Sequence, residues 1–180
     1  MVICLLSMFY LRKIRPILFV LLTTSTYPIY SQDNPTDILI ESLTLSISEY
    51  LESYVKNDWE TFVSFTHPNI LEMAGGEEIL VKVAEESISM YNSMGYSLKS
   101  GKVSGKIETI ESQGEIQAIV PIGFTMSNSN NAEVQNPIKV FAISKNYGET
   151  WKFVDLSQYD KESITQFVPE FNTGLFKHWR

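Results

Sequence analysis

Three ionisable side chains stand beside apolar sequence, where proton transfer would need them: His67, Glu72 and Asp155. Histidine exchanges a proton near neutral pH, and a carboxylate in an apolar pocket serves as a general base or, when protonated, as an acid. His67 precedes Pro68, and the chain's other histidine, His178, lies in the C-terminal tail. None of the three has a partner at a spacing that marks a catalytic pair. His67 reads better as a helix-end side chain bonded to a carbonyl, or as one exposed beside the proline. Asp155 reads better as the residue that ends a strand or caps the following turn.

Other chemistries find less support. Tetrahedral metal sites gather cysteine and histidine, whereas this sequence has one cysteine, Cys4, and two widely separated histidines. No metal site and no cofactor is expected. There is no Ser-His-Asp order, no Gly-rich phosphate loop and no calcium-loop spacing. Gly75-Gly76 lacks a following lysine and reads as a tight turn into a helix. The segment from Ser144 to Trp151, SKNYGETW, resembles the Asp-box hairpin of sialidase-type propellers, S-x-D-x-G-x-T-W, with Asn146 in the place of the aspartate. One copy without a repeat period cannot make a propeller. It is read as a hairpin, with Asn146 and Gly148 supplying the turn and Thr150 and Trp151 resuming a strand.

The elements that position these residues follow from periodicity. Leu39, Leu43, Ile47, Tyr50 and Tyr54 recur at three- and four-residue spacing and predict a helix from a Thr36 or Asp37 cap to about Asn57. Asp58 is a fresh N-cap for a short helix carrying Trp59, Phe62, Val63 and Phe65, stopped by Pro68. Asn69 to Met73 reads as a short connector or strand. Glu77 and Glu78 open a third helix that Gly95 ends. Strands follow: Tyr96 to Lys106, Lys106 to Ser112, Gly114 to Met126, Val134 to Lys145 and Thr150 to Leu156. In the third of these, Ile116, Ala118, Val120, Ile122, Phe124 and Met126 form one apolar face. Pro121 on that strand argues for an edge or a bulge. The order predicts an α+β fold, three helices packed on a curved, mainly antiparallel sheet of four to six strands, with a short C-terminal helical tail.

A long helix, a short aromatic helix ending in FTHPNI, an extended LEM, then GGEEIL opening a helix before strands that end in WKFVD: this order resembles the nuclear transport factor 2-like superfamily, a cystatin-like fold that includes ketosteroid isomerase and polyketide-cyclase-like proteins. The resemblance runs from Thr36 to Asp155. It implies a cone whose curved sheet and helices enclose a cavity open at one end. By position, Trp59, Phe62, His67, Tyr91, Phe124, Phe141, Trp151 and Phe153 would line it. Each aromatic has an alternative as core filling. Isomerase chemistry in such a pocket needs a carboxylate base and an oxyanion hole, and Glu72 and Asp155 are the carboxylates whose positions could face it. The resemblance also implies a homodimer through the outer sheet face. The apolar tail after Leu156, with Phe167, Phe171, Leu175, Phe176 and Trp179, is expected over the mouth of the cone or in that interface.

The N-terminus predicts export. Arg12, Lys13 and Arg15 precede the apolar Ile17 to Leu22, which dissolves into hydroxyl residues and Pro28, a signal peptide with cleavage at Ser31|Gln32. A start at Met8 would remove the apolar stretch that precedes the basic cluster. The apolar run is about half the ~20 residues that cross a bilayer, so the membrane is met only in transit to the periplasm or the extracellular space. Domains are expected at 1–31 (signal), 32–157 (α+β domain) and 158–180 (C-terminal extension). Loss of residues 1–31 leaves 11 basic against 21 acidic residues and moves the formal charge from −7 to −10. Such a domain is a poor binder of nucleic acid. The expected function is a non-catalytic binding or accessory domain holding a small apolar molecule or a peptide. The alternative is an isomerase or cyclase using His67, Glu72 or Asp155.

Overall fold

Asp58, His67 and Asp160 each turn a side-chain acceptor onto a free backbone N–H, and a helix starts at each of them. The computed structural model describes residues 35–112 and 114–179, all within one compact unit, Asp33–Arg180. The expected signal, residues 1–31, and its cleavage bond lie outside the described residues. Helix α1 (Pro35–Lys56) buries Leu43, Ile47, Tyr50 and Leu51 on one side. Asn57 ends it with a left-handed φ of 58°, and α2 (Trp59–Phe65) buries Phe62 and Val63.

The connector expected after α2 is a helix, α3 (Pro68–Ala74), so four helices among the described residues precede the sheet. The reason is local: His67 Nδ1 accepts the Asn69 N–H at 3.3 Å, and Pro68, with its fixed φ and no donor, occupies the first helical position. Gly75 and Gly76, with φ of 92° and 107°, turn the chain into α4 (Glu77–Ser93). Among the described residues, no helix is long and apolar enough to cross a membrane.

The second half is an antiparallel sheet of β1 (Tyr96–Val103), β2 (Glu108–Ser112), β3 (Glu115–Asn128), β4 (Glu133–Ser144) and β5 (Lys152–Asp155). The order is β1-β3-β4-β5, with β2 also on β3. β1 covers the second half of β3 and β2 the first half, so together they form one interrupted edge. Pro121 sits at that interruption. Its carbonyl accepts from Ser104 N at 2.9 Å, so its missing N–H faces the same side, where the edge is broken and no acceptor is left waiting. A proline in a central strand is tolerated here because its neighbour has the gap.

The architecture is α+β, helices followed by a strongly curled antiparallel sheet. The concave face carries Ile116, Ala118, Val120, Ile122, Val140, Ala142 and Phe153 against α1 and α2. The other face carries Ile119, Phe141, Ile143 and Val154. The chain crosses that face after β5, through a 3₁₀ turn (Leu156–Gln158), α5 (Lys161–Phe167) and a 3₁₀ stretch (Thr173–His178), burying Ile164, Val168, Phe171 and Leu175. The buried Gln117 clamps it, donating to Glu170 O at 2.7 Å and accepting from Asn172 N at 2.8 Å. Beyond Tyr159 the tail therefore lies on the outer side of the sheet and closes no mouth on the concave side. It covers the Ile119–Phe141 region of the outer face, the face expected for a homodimer contact.

Candidate functional site

Tyr50 and Tyr54 lie one turn apart on α1, on the side facing the sheet. The Tyr50 ring stacks on Phe62 at 5.1 Å and meets Phe153 at 5.0 Å. Tyr54 meets Phe62 at 5.3 Å and Phe124 at 6.0 Å. Phe124 in turn lies on Gly101 of β1, where a Cβ would come within 2.7 Å of its ring. These rings form one wall of a cavity of about 640 Å³ between the helices and the concave sheet, with Leu80, Ala84 and Tyr91 of α4 opposite. Met73 and Val83, 44% and 51% exposed, mark where it meets solvent. The volume falls within the roughly 300–1,000 Å³ of small-molecule sites.

Polar side chains also line this cavity, Thr66, Ser87, Asn136 and Gln158 beside the tyrosines. Among the described residues, the hydroxyls of Tyr50, Tyr54 and Tyr91 form no hydrogen bond. Among the described residues no buried side-chain oxygen or nitrogen lacks a partner, so these hydroxyls open onto the cavity. Burial, followed by the negative charge of Asp155, raises the Tyr50 phenol far above its ordinary value. Burial, then Tyr91 and Asp155, pushes Tyr54 up to about 12. Both stay neutral phenols, able to donate, at any physiological pH.

Asp155 faces the same space. It lies opposite Val140 in the β4–β5 ladder, and cross-strand partners point to one face. Val140 is fully buried on the concave side, and Phe153, two residues earlier, points the same way. One Asp155 oxygen, Oδ1, accepts Ser157 N at 2.8 Å and starts the 3₁₀ turn.

Of the residues expected to line a pocket, Phe62, Tyr91, Phe124, Phe153 and Asp155 do so. The others sit elsewhere. Trp59 lines a separate shallow groove between α2 and α4, where its Nε1 donates to Glu85 Oε1 at 3.1 Å. Trp151 is buried beneath α1, with its Nε1 donating to Ser42 Oγ at 3.2 Å. Phe141 points to the outer face and packs on Phe171 at 4.9 Å. Glu72 is exposed, because the segment expected to extend along the pocket is helical and turns that side chain to solvent.

His67 is 2% exposed and belongs to the junction between the helices and the tail. Its backbone N–H donates to Phe153 O at 3.1 Å. With Nδ1 accepting from Asn69, Nε2 carries the proton and reaches Glu170 Oε1 at 3.2 Å. Glu170 also pairs with Lys145 at 3.0 Å. Burial lowers the imidazole's proton affinity, outweighing the opposite pull of Glu170. Burial alone would raise Glu170, but its own backbone N–H, Lys145 and His67 together hold it below the usual carboxylate range. His67 thus holds structure together, away from the cavity.

Tyr50, Tyr54 and Tyr159 are among the cavity residues that the sequence did not single out. Their signal was present: a tyrosine where leucine would serve as a core residue brings a hydroxyl that needs somewhere to go. Among the described residues, no group of three His, Cys, Asp or Glu could hold a metal ion. Compared with known proteins, the sequence matches no family model and no curated protein.

Proposed function

We propose that this chain is an exported binding domain of the nuclear transport factor 2-like kind, holding a small apolar molecule between its helices and the concave face of its sheet. The observation that carries the reading is the cavity of about 640 Å³, walled by aromatic rings yet equipped with tyrosine hydroxyls that bond to nothing among the described residues. A core that merely filled itself would satisfy or exclude those hydroxyls. The proton-transfer alternative retains one of its three groups in the cavity, Asp155, beside neutral tyrosine donors; His67 and Glu72 lie outside it.

The test uses N-phenyl-1-naphthylamine, a neutral apolar fluorophore. Saturable one-to-one binding is expected, and Ser87→Phe, which projects a ring from α4 into the cavity, abolishes it while the thermal transition is retained. Absence of saturable binding, or binding unchanged in Ser87→Phe, overturns the pocket. For export, the intact mass of the protein recovered from its producing cell is expected to start at Gln32. A mature chain still beginning at Met1 or Met8 overturns it.

A further inference from the structure

Among the described residues lining the cavity, Asp155 is the only one with a charged side chain. No lysine, arginine or histidine pairs with it among the described residues, and of its two oxygens only Oδ1 has a partner. Around it stand aromatic side chains: Tyr50, Tyr54 and Phe153 on the concave side, with Tyr159 just beyond the 3₁₀ turn. The carboxylate is close enough to Tyr50, Tyr54 and Tyr159 for its charge to contribute to the raised proton affinity of all three phenols.

We propose that the occupant of this cavity is an organic cation, an amine or quaternary ammonium group on an apolar body, with Asp155 as its counter-ion and the surrounding rings as its cage. The inference rests on the pocket reading above. A neutral apolar occupant would strip water from the carboxylate and give nothing in return, which is costly for a buried charge. An anion would meet the carboxylate with no cation in the wall to offset it. A cation gains both the ion pair and the ring faces, whose quadrupoles favour positive charge most when water is excluded. The chain's formal charge of −7 adds a field of the same sign. The apolar wall made by Leu80, Ala84, Ile138 and Val140 accommodates the remainder of the molecule.

Three probes of equal chain length decide the matter by titration calorimetry on the full chain as it is produced: octyltrimethylammonium, 1-octanol and octanoate, each below its aggregation concentration. The cation is expected to bind at least about tenfold more tightly than octanol, with octanoate weakest. Asp155→Asn keeps the oxygen that caps the 3₁₀ turn and removes the charge. It is expected to weaken the cation at least about tenfold and leave octanol unchanged, and Asp155→Glu is expected to restore the preference. Equal binding of cation and octanol, or a cation affinity indifferent to Asp155→Asn, overturns the cation while the pocket stands. Failure of all three probes to bind folded protein overturns the pocket and the cation together. Should Asp155→Asn not fold, the ranking of the three probes on the unaltered chain decides alone.

Discussion

Replacing Phe171 by alanine tests whether the tail is part of the core or a strap laid over it. The side chain is 5% exposed, and its ring lies 4.9 Å from Phe141, 5.2 Å from Phe176 and 5.6 Å from Trp179. Truncating a fully packed phenylalanine costs about 3–5 kcal/mol through lost transfer energy and the cavity left behind. The rigid sheet beneath, with Phe141 and Ile143 almost wholly buried, cannot collapse to fill the gap. Against a total of about 5–15 kcal/mol for a domain of this kind, that is a large fraction. With a urea slope of about 2 kcal/mol per molar, the unfolding midpoint is expected to fall by roughly 2 M. Intrinsic fluorescence follows the transition, because Trp151 lies under α1 and Trp179 in the tail. Leu45→Ala, at a 65% exposed position on α1, serves as the control and is expected to stay within about 0.5 kcal/mol. A fall of less than roughly 0.5 M for Phe171→Ala, at an unchanged slope, would refute the claim that the outer face and tail form one cooperative core.

Gly101→Ala is expected to cost about 1–3 kcal/mol, because the new Cβ would lie 2.7 Å from the Phe124 ring and 3.2 Å from Leu51 Cβ. The displaced ring moves into the cavity, so N-phenyl-1-naphthylamine affinity falls as well; urea unfolding with both properties unchanged would contradict the placement of Phe124. Burial holds His67 below its ordinary value, so the unfolded chain takes up a proton near pH 6.5 while the folded chain does not. Stability is therefore expected to decline as pH falls from about 6.5 towards the folded value, and to level off for this group below it. Urea midpoints for His67→Gln should be lower at pH 7.5 but flatter across that window. A slope equal to that of the unaltered chain would remove His67 as its cause. Glu170, held below the usual carboxylate range, adds its own loss only at lower pH.

Much of the order of elements was legible because it depends on neighbours in sequence. Leu43, Ile47 and Tyr50 mark the buried side of α1 by spacing alone, Asp58 caps α2 through its own carboxylate, and the even-numbered residues from Ile116 to Ile122 declare one apolar face of β3. The segment after His67 was misread because an imidazole nitrogen capping a helix is decided by side-chain orientation, which composition does not reveal. β4 could not be assigned a face from sequence either. Phe141 and Ile143 are as apolar as Val140 and Ala142, and only the course of the tail across one side makes Phe141 an outer residue and leaves the other side to the cavity.

By itself, then, the sequence determined the local matters: helices before strands, their caps and turns, an acidic chain, and aromatic residues enough to wall a pocket. Tertiary structure decided what each polar group meets. His67 finds Glu170, 103 positions away, and becomes a structural clasp; Asp155 finds Val140 across the ladder and tyrosines near it, and becomes the one charged side chain among the described residues that line an aromatic cavity. The physical reason is that periodicity and capping are short-range, whereas burial and charge environment are set by which distant segments the curled sheet brings together.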